Sequence, residues 1–154
     1  MRDPNYYKEY LQIDLKRLRE STKISEENKK LILDFLEFMK ANGISEATQR
    51  LYIWSLSYCA TTLNKTFPEA STEDIIKLIS AVESKYNSEK SKIMLKSNLK
   101  IFYRWLRKSS DYPDEVRWIK VRPKDRNGKL PEEILTEDEI RRMANTALNP
   151  RDKA

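Results

Sequence analysis

Side chains that could act as nucleophiles or proton carriers are few in this sequence, and they are not grouped. The chain of 154 residues has eight tyrosines and one cysteine but no histidine, which excludes Ser-His-Asp and Cys-His catalytic sets and histidine-ligated zinc. Cys59 has no second cysteine to pair with and lies in an apolar segment, so we expect a small buried side chain. The two glycines, Gly43 and Gly128, are too far apart for a phosphate-binding loop. We therefore predict no catalytic residue, no metal site and no cofactor.

The tyrosines are the remaining candidate nucleophiles, and none has a neighbouring base in the sequence. Tyr52, Tyr58 and Tyr103 lie within or beside apolar stripes. Desolvation there is expected to raise the pKa of the phenol and to disfavour the nucleophilic phenolate. We expect no covalent chemistry from this chain.

Positive charge is the chemical feature that the sequence concentrates. Residues 1–87 carry 13 basic and 13 acidic residues, whereas residues 88–110 carry seven basic residues and one acid. Residues 116–130 carry six basic residues and one acid, and residues 131–154 are slightly acidic. A positive field of this density is what a polyanion such as DNA requires.

Helices are expected to position these charges. The length suffices for one domain with a substantial core, and low glycine content together with helical periodicity predicts an all-α fold. No apolar run reaches the roughly 18 residues of a membrane span, and the N-terminus lacks the apolar stretch of a signal peptide. We therefore expect a soluble, cytoplasmic protein that makes no membrane contact.

Capping signals mark the first four predicted helices. A peripheral first helix is predicted over residues 3–19, with Asp3 as N-cap and Pro4 in the first turn. The next two are predicted over residues 25–43 and 45–63, and each opens on a serine N-cap. A fourth helix begins at a Ser-x-x-Asp capping box after a loop.

The fifth predicted helix, residues 88–108, carries the main basic row. Apolar side chains recur on one face, while Lys96, Lys100 and Arg104 fall in a row on the opposite face, with Arg107 beside it. The helix contains no acid after its first turn, so local i to i+4 pairing cannot neutralise the row. We expect a solvent-facing ridge that contacts phosphates.

Four aromatic residues could serve either as core or as stacking platforms for bases. Tyr52, Trp54, Phe102 and Trp105 recur at helical spacing. This spacing favours a core role for all four.

The helical periodicity gives way to a basic linker over residues 111–130, with a strand-like stretch over residues 116–121. A further capping box then predicts a helix within residues 131–154. The predicted organisation is a helical extension (1–24), a helical DNA-binding domain (25–110), the linker, and the first helix of a domain whose remainder is missing.

Three segments, in this order, resemble the tyrosine recombinases of the Xer and phage-integrase type. ANGISEATQRLYIWSL, residues 41–56, is similar to the second helix of their N-terminal DNA-binding domain, with its Ser-x-x-Thr-x-x-x-Tyr-x-x-x-Leu spacing. SNLKIFYRWL, residues 97–106, is similar to the fourth helix of that domain. LPEEILTEDEIRRM, residues 130–143, followed by NPRDKA, resembles the entry into their catalytic domain.

The resemblance implies a four-helix SAM-like bundle, preceded here by an extra N-terminal helix and followed by an extended linker. Such a bundle sits on one side of duplex DNA while the catalytic domain closes on the other, in a parent enzyme that is a tetramer on DNA. The second and fourth helices of the bundle approach the major groove. The family's arginines, lysine, histidines and nucleophilic tyrosine would all lie beyond Ala154, and Arg151 matches a position that is not catalytic.

The predicted DNA-binding residues combine the basic pattern with the resemblance. They are Ser45, Thr48, Gln49, Arg50, Lys92, Lys96, Lys100, Arg104, Arg107, Arg122, Lys124, Arg126 and Lys129. Gln49 and Arg50 are of the types that read base edges, and the lysines suit phosphates. The alternative roles are a helix cap at Ser45, a solvated helix face and a solubilising linker.

Two other functions compete with a recombinase DNA-binding module. One is a helical protein-interaction module whose basic ridge meets an acidic partner. The other is a free-standing helical DNA-binding regulator with no enzymatic parent. A steep salt dependence of DNA binding would separate the DNA-binding functions from the protein-interaction module.

Overall fold

The computed structural model describes residues 3–121, and every regular element within them is helical, which confirms the all-α prediction. These residues belong to the first of two units of the chain, residues 1–122 and 123–154. The elements are α1 (Tyr6–Glu20), α2 (Glu26–Ala41), α3 (Glu46–Leu63), a 3₁₀ turn (Phe67–Glu69), α4 (Thr72–Lys85), α5 (Glu89–Leu106) and α6 (Asp114–Arg117). None of these helices has the length and apolar character needed to cross a membrane.

Helix α1 is an integral part of the bundle, so the expectation of a peripheral helix is wrong. It packs on α3, and Leu11 and Leu18 on its inner face are buried. The predicted start is also too early, because the Asp3 side chain accepts a hydrogen bond from the Asn5 N–H at 2.9 Å in a local turn. The first helical residue is Tyr6.

Serine caps begin four of the helices. Ser25, Ser45, Ser71 and Ser88 each accept a hydrogen bond from the backbone N–H three residues later, at 3.2 to 3.4 Å. Asp74 completes a capping box by accepting from the Ser71 N–H at 2.9 Å. The helix starts that the sequence predicts at these serines are confirmed.

Helix α2 ends at Ala41, two residues before the predicted end. The Gly43 N–H donates to the Lys40 carbonyl at 3.0 Å, and the Ile44 N–H donates to the Met39 carbonyl at 3.1 Å. This pair of bonds is a Schellman motif, and it requires the positive φ of 76° that Gly43 adopts. The glycine therefore follows the helix rather than belonging to it.

The 3₁₀ turn between α3 and α4 lies in a segment that the sequence predicts as a plain loop. Phe67 in this turn is fully buried. Asn28 of α2 holds its backbone, since the Phe67 N–H donates to Asn28 Oδ1 at 2.9 Å and Asn28 Nδ2 donates to the Lys65 carbonyl at 2.9 Å. The Tyr103 hydroxyl donates to the Phe67 carbonyl at 2.8 Å. The loop is thereby built into the core.

The chain after α5 folds back against the bundle, and the predicted strand-like stretch over residues 116–121 is wrong. Val116 and Ile119 are 0% and 3% exposed and join the same core as α1 to α5. The Ile119 N–H donates to the Val116 carbonyl at 3.0 Å. Their separation of three residues is that of a helical turn, and α6 packs against α4 and α5.

The aromatic residues predicted as core divide into two groups. Tyr52 and Phe102 are buried, and Trp105 is partly buried against the core. Trp54 is 39% exposed, so its prediction is wrong. The Trp54 ring packs edge to face against Tyr86, with ring centroids 5.5 Å apart, and is not among the side chains of the core.

Candidate nucleic-acid interface

The basic row of α5 is not the unpaired ridge that the sequence predicts. Lys96 forms a salt bridge with Glu83 of α4. Lys92 Nζ lies 3.2 Å from Glu83 Oε2 and 3.3 Å from Glu89 Oε1. The two lysine side chains are 11% and 14% exposed. The acids absent from the middle of α5 are supplied by the neighbouring helix and by its own first turn.

Hydrogen bonds within this cluster shift the pKa values of Glu83 and Lys92. The hydrogen bond from Lys96 is the largest cause that lowers the pKa of Glu83 below its ordinary value. The hydrogen bond to Glu83 raises the pKa of Lys92. Both shifts favour the charged forms, so Glu83 and Lys92 neutralise each other near neutral pH, and the two lysines face two carboxylates, Glu83 and Glu89.

Arg107 is also held within the protein. Its Nε donates to Glu115 Oε1 at 3.0 Å, and its Nη2 lies 2.9 Å from the same carboxylate oxygen. Nη2 also donates to the Pro68 carbonyl at 2.9 Å. This guanidinium links the end of α5 to α6 and to the 3₁₀ turn.

Lys100 and Arg104 differ from the other cations of α5 because they share an aromatic ring. Lys100 Nζ lies 4.5 Å and Arg104 Cζ lies 5.1 Å from the ring centroid of Tyr112. Lys100 Nζ also donates to the Ile119 carbonyl at 3.1 Å. Within residues 3–121, neither side chain lies within salt-bridge distance of a carboxylate. Two positive charges one helical turn apart are thus oriented without being neutralised.

Tyr52 of α3 borders this pair of cations. Burial is the main cause that raises the pKa of Tyr52, the nearby Tyr112 raises it further, and the positive charge of Arg104 opposes the shift. The hydroxyl therefore stays protonated near neutral pH. Helices α3 and α5 and the returning segment meet at this point, which we name the Tyr112 cluster: Tyr52, Lys100, Arg104 and Tyr112.

Ser45 and Thr48 form the N-terminal cap of α3. Ser45 Oγ accepts from the Thr48 N–H at 3.3 Å and donates to Thr48 Oγ1 at 3.1 Å. The capping role that the sequence predicts for Ser45 is confirmed. A DNA contact at the same helix end stays a prediction.

Gln49 and Arg50 are held by contacts inside the protein. Gln49 is 6% exposed, and its Nε2 donates to the Ile44 carbonyl at 2.9 Å. Arg50 Nε lies 2.6 Å from Asp14 Oδ2, and its guanidinium lies 4.9 Å from the ring centroid of Tyr10. Base reading by either residue would require these bonds to break, and it stays a prediction.

The remaining predicted site residues, Arg122, Lys124, Arg126 and Lys129, lie outside the described residues. Two residues of the site, Glu83 and Tyr112, are not predicted from the sequence. Glu83 is 13 residues from its partner Lys96 and lies on another helix. Tyr112 follows the end of α5 in a segment without periodicity. Neither contact has a local sequence signal.

Two of the candidate nucleophiles, Tyr103 and Cys59, are fully buried. The Tyr103 side chain is fully buried, and burial raises the pKa of its phenol. Burial likewise raises the pKa of the Cys59 thiol. No group of three or more acidic, cysteine or histidine side chains between residues 3 and 121 is arranged to hold a metal ion.

Comparisons of this chain with protein-family models, with curated proteins and with solved structures found no match. The resemblance to tyrosine recombinases therefore depends on the three sequence motifs. The DNA-binding roles that it implies stay predictions.

Proposed function

We propose that this chain is a helical module that binds duplex DNA, and that it is the DNA-binding part of a tyrosine recombinase. The observation that carries the DNA-binding proposal is the Tyr112 cluster. There, Lys100 and Arg104 are oriented by one ring and lack a carboxylate partner among residues 3–121. A phosphodiester backbone supplies the anions that such a pair binds.

Preorganisation is the physical advantage of this arrangement. Long basic side chains lose rotamer freedom when they bind a phosphate, which costs about 0.5 to 1.5 kcal/mol for each side chain. The Tyr112 ring restricts Lys100 and Arg104 before DNA arrives. A planar guanidinium beside an ammonium also offers several N–H donors to phosphate oxygens.

The other predicted DNA-binding cations of this part of the chain, Lys92, Lys96 and Arg107, contribute less to this proposal. Lys92 and Lys96 would have to leave Glu83 before they could neutralise a phosphate. Arg107 would have to leave Glu115. The proposed interface is therefore centred on Lys100 and Arg104 rather than on the whole predicted row.

The test is the salt dependence of binding to a duplex of arbitrary sequence. Weak, non-specific binding with Kd of about 10⁻⁴ to 10⁻⁶ M is expected at physiological salt. Lys100→Ala and Arg104→Ala are each expected to weaken binding and to reduce the slope of log K against log salt by about 0.9. Lys96→Ala is expected to change the slope less, because its charge is already paired.

Lys77→Ala is the matched control, since Lys77 is an exposed cation on α4. It is expected to leave the slope nearly unchanged. Tyr112→Leu removes the ring without changing charge, so it should weaken binding while preserving the slope. Affinity that does not respond to salt, or equal effects of Lys77→Ala and Lys100→Ala, would refute the proposed interface.

The recombinase part of the proposal rests on the motif resemblance alone. It predicts that the reading frame beyond the Ala154 codon encodes two arginines, a lysine, histidines and a tyrosine in the order of that family. A stop codon at that point in the native gene, with DNA binding intact, would instead support a free-standing DNA-binding protein.

A further inference from the structure

A groove of about 730 Å³ lies between α1 and α3, away from the Tyr112 cluster. Its walls include the aliphatic side chains of Leu18 and Ile24. Leu51 and Trp54 of α3 project into it and are 45% and 39% exposed. Tyr86, between α4 and α5, closes one side. Exposed apolar side chains that adjoin in one concave site are typical of a binding surface.

The charged residues around the groove are mostly basic. Arg17, Lys23 and Lys85 line it, and all three are exposed. Arg50 and Asp14 also line it, but they form a salt bridge with each other at 2.6 Å. The groove therefore combines an apolar floor with a net positive rim, and its charge complements an acidic partner.

The aromatic contacts disfavour a nucleic-acid base as the occupant. Tyr86 packs edge to face against Trp54 and against Tyr58, with ring centroids 5.5 and 5.6 Å apart. Lys85 Nζ lies 4.6 Å from the ring centroid of Tyr58 and 5.5 Å from that of Tyr86. A base would have to displace this ammonium to stack on either tyrosine. The aliphatic walls also suit hydrocarbon side chains better than a polar base.

We propose that this groove binds an acidic amphipathic segment of a partner protein. Leucine-like side chains at helical spacing would fill the space over Leu51 and Trp54, and carboxylates beside them would meet Arg17, Lys23 and Lys85. This groove shares no residue with the Tyr112 cluster.

The test uses the full chain and a fluorescein-labelled synthetic helix with leucines at i, i+3, i+4 and i+7 and glutamates elsewhere. Fluorescence anisotropy is expected to show saturable binding. Trp54→Ala should weaken it about tenfold, which corresponds to 1.4 kcal/mol. Trp118→Ala is the matched control, because Trp118 is equally exposed, at 39%, and lies outside the groove. It should weaken binding less than about twofold.

Charge reversal tests the rim separately. Arg17→Glu is expected to weaken peptide binding about tenfold, and Lys77→Glu on α4 less than about twofold. A version of the peptide with lysine in place of glutamate should not bind. Circular dichroism verifies that each variant is folded, and Trp54→Ala should leave the salt slope of DNA binding unchanged.

The proposal is overturned if the acidic peptide does not bind, if the lysine peptide binds equally well, or if Trp118→Ala matches Trp54→Ala in effect. It is also overturned if oligothymidylate binds in a manner that Trp54→Ala abolishes, since the groove would then be a single-strand site. None of these outcomes depends on whether the Tyr112 cluster binds duplex DNA.

Discussion

Asn98 of α5 donates a hydrogen bond from Nδ2 to Ser55 Oγ of α3 at 3.0 Å, and both side chains are buried. The bond joins the two helices that contain the segments 41–56 and 97–106 singled out in the sequence. A polar pair inside the core fixes the register of the two helices, because a shift would leave both groups without partners.

We predict that Ser55→Ala destabilises the fold by about 1 to 3 kcal/mol, because it leaves a buried amide unsatisfied. Ser80→Ala on the exposed face of α4 should change stability by less than about 0.5 kcal/mol. Urea unfolding of Ser55→Ala, Asn98→Ala and the double variant measures the coupling. Strictly additive losses would show that the bond contributes nothing.

Leucines on adjacent helices give a matched pair for the core. Leu99 is fully buried, whereas Leu51 is 45% exposed. Leu99→Ala is expected to cost about 2 to 5 kcal/mol through lost burial and a cavity. Leu51→Ala should cost much less. Thermal or urea unfolding measures both variants. Similar losses of stability would contradict the difference in burial between Leu99 and Leu51.

The Ser71–Asp74 capping box predicts an acid-sensitive part of the stability. The Ser71 backbone N–H, followed by the Lys65 ammonium, lowers the pKa of Asp74 to about 2. The pKa of an aspartate in an unfolded chain is about 3.9. The stabilisation of the fold by the Asp74 carboxylate is therefore fully present above that pH and is lost as the pH falls through about 2.

The stability advantage of the native chain over Asp74→Asn should therefore shrink between about pH 4 and pH 2. Urea unfolding at a series of pH values measures it. Glu37→Gln, at an exposed carboxylate of α2, is the control. A difference between the native chain and Asp74→Asn that is constant from neutral to acidic pH would contradict this role of the carboxylate.

Removal of Glu83 is predicted to strengthen DNA binding. Glu83→Gln releases Lys96, while Lys92 keeps its salt bridge with Glu89, so the slope of log K against log salt should steepen by up to about 0.9 when Lys96 gains a phosphate. Glu73→Gln makes the same charge change at an exposed position of α4. Equal gains in DNA affinity and salt slope for Glu83→Gln and Glu73→Gln would show that only the net charge of the protein matters.

The chain is expected to form no covalent adduct with DNA. Burial raises the pKa of Tyr52 and of Tyr103, and the sequence has no histidine to act in proton transfer. Incubation with a nicked duplex, followed by denaturing electrophoresis, measures this. An adduct that disappears after one tyrosine is changed to phenylalanine would identify that tyrosine as a nucleophile and contradict this prediction.

Helix starts were predictable because their signals are local. Each capping serine accepts a hydrogen bond from the backbone N–H three residues later, so the residues of the contact lie within one short segment of sequence. These serines are Ser25, Ser45, Ser71 and Ser88. The start of α1 was not predictable in this way, because Asp3 forms a turn before the helix begins.

The electrostatics of the site were less predictable, because they depend on contacts between elements. A helical projection places Lys96, Lys100 and Arg104 in one row but says nothing about which neighbours cover it. The structure pairs Lys96 with Glu83 and brings Tyr112 against the other two. Trp54 was misassigned for the same reason, since its helical spacing does not show that its ring packs against Tyr86 outside the core.

The return of residues 109–121 to the bundle has a consequence for synthesis on the ribosome. Val116 and Ile119 complete a core that also contains side chains from the other helices. A nascent chain that has released only α1 to α5 still exposes the apolar surface that these two side chains cover, and it lacks the ring that orients Lys100 and Arg104. The core and the cation pair of residues 3–121 are therefore completed together, once residues 109–121 have left the ribosome.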